Sequence, residues 1–427
     1  MSQRLVARAA ALRGTIRVPS DKSIGHRALL ANAMAEGDAE VRLRAPGADL
    51  ESTIGCLVAL GATIQRRGAA VIMRGARIES PEDALDCGNS GTTMRLLAGL
   101  LAGQPVEATL DGDDSLRGRP MERVAAPLRA MGARVATTDG HAPIEVRGGA
   151  LRAADHELSV ASAQLLGAIA FAALGAEGDT TVRLPGPTRD HTERLLAWMG
   201  VRIRREGTLT TISGPARPAA RSLDVPGDPS SAAAWLVAAA VHRDADLLLA
   251  DVCLNPTRLA IVGVLREMGA TVEVEEHPAH GSEPVGDLRV RSGDRLRPIR
   301  LGGPDVAALI DELPLVGVAM VAADGVSELR DAGELRVKES DRIAAMIAGL
   351  KAIGASVEEL HDGWRVRPGL AQDAEITTHG DHRIGIAFAV AALTGMAGTV
   401  RIDDAESASV SYPGFWADLD AVAAVPA

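Results

Sequence analysis

Of the 45 lysine and arginine side chains in this 427-residue sequence only three are lysines: Lys22, Lys338 and Lys351. A lysine ammonium is a compact charge that can release its proton, whereas a guanidinium is planar and stays protonated. In a chain that otherwise uses arginine, a retained lysine marks a place that needs a proton donor or three donors in tight space. Lys22 lies in Val18-Pro19-Ser20-Asp21-Lys22-Ser23, with Arg27 following, and Lys338 lies in Leu335-Arg336-Val337-Lys338-Glu339-Ser340-Asp341-Arg342. Both runs mix charge with small hydroxyls, as anion sites do. Lys351 falls in an amphipathic stretch and needs no such account.

Other runs carry the same chemistry. Asp86-Cys87-Gly88-Asn89-Ser90-Gly91-Thr92-Thr93-Met94-Arg95 precedes a helix expected at 94–101, and Gly91 would let backbone approach an anion closely. It has neither Gly-Lys-Ser/Thr nor GxGxxG. Arg119 follows the acidic loop 111–114, where a guanidinium could fork onto a carboxylate or phosphate. Ser162-Ala163-Gln164 precedes an Ala/Leu-rich helix, and Ser162 could simply cap it. In Thr188-Arg189-Asp190-His191 the Asp is the natural cap and Arg189 the candidate ligand. Asp311-Glu312-Leu313-Pro314 opens an apolar helix, where an Asp is usually a cap. Lys338 and Arg342, four apart, would share a helix face, a costly pairing unless an anion lies between them. His379-Gly380-Asp381-His382-Arg383 starts a helix expected at 384–393, placing Arg383 at a positive helix end that favours a bound anion.

The elements that must position these residues repeat. A phrase of the form Leu-x-x-apolar-Gly-x-x-apolar recurs around Gly61, Gly132, Gly200, Gly269 and Gly354, spaced by 71, 68, 69 and 85 residues. Each reads as a helix stopped at Gly and followed at once by a strand. A worn sixth copy is expected at 419–425. Val225-Pro226-Gly227-Asp228-Pro229-Ser230 echoes the Lys22 run 207 residues later, close to the 208 separating Gly61 from Gly269. The spacing predicts two homologous halves of three units each, with crossings near residues 20 and 227. An anion cradle would form where helix N-termini converge.

Composition narrows the class. The length suits two domains. Hydrophobic residues make up 47% of the chain but aromatics only 2%, so the cores must rest on Ala, Leu, Val and Ile. Three scattered cysteines without CxxC argue against zinc or a disulfide framework and suit a reducing cytoplasm. No apolar run is long enough to span a bilayer and no signal pattern opens the chain, so no membrane association is expected. A net charge of −11 disfavours nucleic acid. Nothing suggests a metal or organic cofactor.

Together, and in this order, the runs resemble the 5-enolpyruvylshikimate-3-phosphate synthase family of enolpyruvyl transferases. The similarity extends from Val18 to Trp416 and takes in the late Tyr412-Pro413-Gly414-Phe415-Trp416. It implies an α/β fold of two domains, each of three βαβαββ-like units around buried helices, an inside-out α/β barrel. The domains would be 21–226 and 1–20 plus 227–427, with the active site in the cleft between them. It also implies a cytoplasmic monomer and a place in the shikimate pathway to chorismate and the aromatic amino acids. The implied reaction transfers the enolpyruvyl group of phosphoenolpyruvate to the 5-hydroxyl of shikimate 3-phosphate and releases phosphate. By similarity Lys22, Ser23, Arg27, Ser162, Ala163, Gln164, Arg189, Asp311 and Lys338 would line the shikimate 3-phosphate site. Lys22, Gly91, Arg119, Gln164, Arg342 and Arg383 would hold phosphoenolpyruvate. Asp311 would be the base, Glu339 would carry the proton at the methylene carbon, and Lys22 would serve the bridging oxygen.

The sequence departs from the family pattern at Val410, where many members have lysine, at Ala163, where a second serine is frequent, and at Leu96 and Glu334. Glyphosate is expected to compete with phosphoenolpyruvate, since Gly91 is the small residue associated with sensitivity. Two alternatives differ in kind. UDP-N-acetylglucosamine enolpyruvyl transferases share the fold and donor but usually have Lys-Asn in place of Lys22-Ser23, and their loop acid, commonly Cys, would fall at Asp114. A noncatalytic repeat scaffold would explain the duplications but not the paired cations.

Overall fold

The computed structural model describes residues 2–423 apart from 76 and 280. The five recurrent glycines all adopt positive φ, +91° at Gly61, +107° at Gly132, +88° at Gly200, +102° at Gly269 and +95° at Gly354. A Cβ is disfavoured there, so glycine ends one helix and turns the chain into a strand. The helices so ended are Ala48–Ala59, Glu122–Ala130, His191–Trp198, Ala260–Glu267 and Arg342–Ala352. The strands Thr63–Arg67, Arg134–Thr138, Ile203–Glu206, Thr271–His277 and Ser356–Leu360 follow. Residues 419–423 of the expected sixth phrase lie in the helix Phe415–Ala423, and its last two residues fall outside the described residues.

One unit shows the common plan. Strand Leu85–Asp86, helix Gly91–Ala102, strand Glu107–Asp111, helix Glu122–Ala130 and the hairpin Arg134–Thr138/His141–Arg147 follow in order. In its sheet the first strand runs parallel to the second, and the hairpin joins through His141–Arg147, antiparallel to the second strand, with Arg134–Thr138 outermost. Among the described residues three sheets draw in distant chain, and in one of them Leu12–Ile16 lies parallel to Ala245–Cys253. Leu223–Asp224 lies parallel to Asp38–Arg42, and Arg4–Val6 lies antiparallel to Val400–Ile402.

The chain divides into two compact units. One comprises Met1–Pro19, Pro226–Pro278 and Pro284–Ala427, and the other Ser20–Val225 with Ala279–Glu283. Within the first, the helices Pro229–Val241, Leu313–Ala322 and His382–Thr394 pack on one another and are buried almost throughout. Trp235 anchors this core, donating from Nε1 to the Tyr412 hydroxyl at 3.0 Å and stacking obliquely on Phe415. The late aromatic motif is therefore packing. The second unit buries Lys22–Met34, Gly91–Ala102 and Ala163–Ala173. Helices apolar on every side have to be enclosed, and small residues let these approach closely: a Cβ at Gly99 would collide with the Ala168 carbonyl. The first turns of the buried helices are polar, and the candidate residues cluster there.

Candidate active site

In the unit Ser20–Val225 the helix bearing Lys22 begins at Lys22 itself, six residues before the expected Ala28, because Asp21 caps it by accepting from the Ile24 N–H at 2.9 Å. Lys22 Nζ donates to Asp49 Oδ2 at 2.8 Å. One turn on, His26 Nδ1 meets Thr53 Oγ1 at 2.7 Å, and burial drives the imidazole pKa down to about 3, so it is neutral. Arg27 is buried, its Nε donating to Thr192 Oγ1 at 2.7 Å, Nη1 to the Ser23 carbonyl at 2.9 Å and Nη2 to the Ala163 carbonyl at 3.0 Å. Burial lowers its pKa to about 10, against the pull of Glu193 and Asp21, which leaves it a cation. Arg27 thus joins Ser23 and Ala163, both through their backbone carbonyls. The half-buried Arg189 adds repulsion felt at Arg27.

The glycine turn lies in the same unit. Ser90 caps the helix Gly91–Ala102, which starts three residues before the expected Met94, by accepting from the Thr93 N–H at 3.1 Å. A Cβ on Gly91 would lie 2.8 Å from Arg95 Nη1 and 3.3 Å from Arg119 Nη1, so two guanidiniums converge on this glycine. Arg119 Nη2 donates to Asn89 Oδ1. Gln164 accepts from Arg95 Nη1 at 2.7 Å and donates to Thr92 Oγ1 at 2.9 Å. Ser162 is the cap of its helix, accepting from the Leu165 N–H at 3.4 Å.

The other unit carries a second cluster. Buried Arg342 donates from Nε to Asp381 Oδ2 at 2.8 Å and from Nη2 to Glu339 Oε2 at 2.6 Å, and its Nη1 lies 3.9 Å from Asp311 Oδ1. That Nη1 is buried without a hydrogen-bond partner among the described residues. Burial works against the charge, but Glu339, Asp381 and Asp311 outweigh it and raise the arginine pKa. Burial alone would raise Asp381 too, yet Arg342 holds it below the usual carboxylate value. Arg383 Nη1 donates to the Asp311 carbonyl at 2.7 Å, and its Nη2 lies 3.8 Å from Asp311 Oδ2. Burial lowers the Lys338 pKa, opposed by Asp311 and Glu334 and reinforced by Arg342.

Several expectations need correction here. Lys338 and Arg342 do not share a helix face: Lys338 closes the short turn Gly333–Val337, while Arg342 opens the helix Arg342–Ala352 capped by Asp341. Asp311 is not a cap, since Glu312 holds that position and makes no side-chain capping bond. Asp190 holds the cap position of its helix without a capping bond and instead pairs with Arg194 at 2.9 Å. The helix bearing Arg383 starts at His382, two residues early, where Asp381 caps it. Arg383 at this helix end has a partner within the protein, Asp311. Lys351 is exposed in the last turn of its helix.

Sequence reasoning missed Asp49, Arg95 and Asp381 as members of these clusters. Arg95 carried a signal, standing four residues after Gly91 and so on its face of the helix. Asp381 stood inside a run already singled out. Asp49 carried none, because its tie to Lys22 is made through space.

The comparisons identify the family. The model of the EPSP synthase (3-phosphoshikimate 1-carboxyvinyltransferase) family matches residues 6–419. A 3-phosphoshikimate 1-carboxyvinyltransferase of Chloroflexus aurantiacus is 48% identical, with 96% of each chain covered. One from Geobacillus kaustophilus is 44% identical over 96% of this chain and 97% of its own. A solved EPSP synthase from Acinetobacter baumannii superposes with a TM-score of 0.88 at 36% identity, covering 99% of this chain and 98% of that one. These matches favour the EPSP synthase reading over both the sugar-nucleotide transferase and the noncatalytic scaffold. The chain belongs to the EPSP synthase family.

Proposed function

We propose that this enzyme transfers the enolpyruvyl group of phosphoenolpyruvate to the 5-hydroxyl of shikimate 3-phosphate, with release of phosphate, as a step of aromatic biosynthesis. The observation that carries the reading is Asp311 held beside Arg342 and Arg383, with a buried Arg342 nitrogen lacking a hydrogen-bond partner among the described residues. A buried donor of that kind is costly until an acceptor reaches it, and a carboxylate or phosphate oxygen is the natural one.

Lys22, Ser23, Arg27, Ser162, Ala163, Gln164, Arg189, Asp311 and Lys338 form the acceptor set, and Lys22, Gly91, Arg119, Gln164, Arg342 and Arg383 the donor set. Asp311 takes the proton of the 5-hydroxyl as its oxygen bonds to the substituted carbon of phosphoenolpyruvate, while Glu339 protonates the methylene carbon. The resulting tetrahedral adduct loses phosphate, with Lys22 serving the bridging oxygen, a methyl proton returns to Glu339 as the double bond re-forms, and the hydroxyl proton taken by Asp311 leaves with the released phosphate. Atoms balance without any further reactant. Three buried free thiols fit a cytoplasmic setting, and a monomer agrees with family resemblance. Mass spectrometry of the protein incubated with both substrates tests the reading. The enolpyruvyl ether of shikimate 3-phosphate is expected, and its absence, with an enolpyruvyl sugar nucleotide formed instead from UDP-N-acetylglucosamine, would overturn it.

A further inference from the structure

Residues Ala279–Glu283 come from the connection between strands Thr271–His277 and Val285–Arg291, which belong to one unit, yet they pack as part of the other. There Glu283 Oε1 lies 2.7 Å from His191 Nδ1, with both side chains almost wholly buried at 2% and 1% exposure. His191 Nε2 is buried without a hydrogen-bond partner among the described residues. With Nδ1 protonated the ring donates to Glu283. Arg194 Nε stands 3.9 Å from Glu283 Oε2 and pairs with Asp190 at 2.9 Å.

His191 opens the helix His191–Trp198, and the next residue, Thr192, accepts from Arg27 Nε at 2.7 Å. Arg27 in turn ties the Ser23 and Ala163 carbonyls at 2.9 and 3.0 Å. A continuous run of buried contacts therefore leads from Glu283 to the acceptor set, and Arg189 stands two residues before His191. The geometry points to Glu283 and His191 as positioning residues that clamp the start of this helix, and so fix Arg27 and Arg189 for the phosphorylated acceptor. The inference rests on the proposed reading of the acceptor set. It predicts an effect on one substrate alone, because the glycine turn and Arg119 do not lie on this run of contacts.

The test is steady-state kinetics of the full chain with each substrate varied in turn, beside thermal melting. Glu283→Ala is expected to raise KM for shikimate 3-phosphate roughly tenfold, since small misplacement of positioning groups is expensive, with KM for phosphoenolpyruvate and kcat little changed. Glu283→Gln keeps an oxygen that can accept from Nδ1 and should restore KM to near the wild-type value. If Glu283→Ala does not fold, His191→Phe against His191→Asn carries the same contrast, because the Asn amide can still donate to Glu283. An unchanged acceptor KM in the disrupting variant, a glutamine that fails to rescue, or parallel changes in both KM values would overturn the clamp. A wild-type protein inactive with shikimate 3-phosphate would instead overturn the reading beneath it.

Discussion

Asp311 has one carboxylate oxygen 3.9 Å from Arg342 Nη1 and the other 3.8 Å from Arg383 Nη2, so both its oxygens face guanidinium groups. Asp311→Asn keeps the shape and removes the proposed base. We expect kcat to fall by about 10²–10⁴, the usual worth of a general base, with binding of shikimate 3-phosphate retained by calorimetry; near-normal turnover would remove the assignment. Gly91→Ala would set a methyl 2.8 Å from Arg95 Nη1 and 3.3 Å from Arg119 Nη1, so both guanidiniums must shift. The inhibition constant for glyphosate should rise in that variant, and an unchanged constant would contradict the steric argument. Glu193 offers a pH signature. Its burial raises the carboxyl pKa from 4.5 to about 7. The folded state thus holds the extra proton between those values, and stability is lost as pH rises through that window. Glu193→Gln should therefore gain melting temperature relative to wild type more at pH 8 than at pH 5; a difference independent of pH would show that the carboxyl does not titrate there. At this scale the charged runs were legible because lysines are so few and hydroxyls flank them. The tie of Lys22 to Asp49 was not, since 27 residues of chain separate the partners.

The helix-stopping glycines set the architecture of the elements. Gly200 has φ +88° and open space around its Cβ position, whereas Gly55, within the helix Ala48–Ala59, also has open space but helical geometry. Alanine at Gly200 should destabilise by about 1–2 kcal/mol through backbone strain alone. Alanine at Gly55 should stabilise by about 0.5–1 kcal/mol by restricting the unfolded chain. Denaturant midpoints of the two variants check this, and equal shifts would contradict it. The repeat was readable because each glycine ends an apolar pattern at near-constant spacing. The helix starts were read late, at 28, 94 and 384, because their first turns are polar and capped by Asp21, Ser90 and Asp381 rather than marked by apolar periodicity. Those polar turns are where the candidate site residues stand.

For the whole molecule, duplication was visible in the matching offsets of 207 and 208 residues. The packing of Glu283 with the other unit was not, because a short connection has no periodicity to reveal where it packs. The acidic total of −11 conceals cation clusters in each unit, Lys22 with Arg27, Arg95 and Arg119 in one, and Lys338 with Arg342 and Arg383 in the other. On the proposed reading, two substrates that together bring two phosphates and two carboxylates would account for both clusters. The most direct measurement is the initial rate of phosphate release from phosphoenolpyruvate with no acceptor, with shikimate 3-phosphate and with UDP-N-acetylglucosamine. The account predicts release with shikimate 3-phosphate only. Release that depends on the sugar nucleotide, or on neither acceptor, would contradict it.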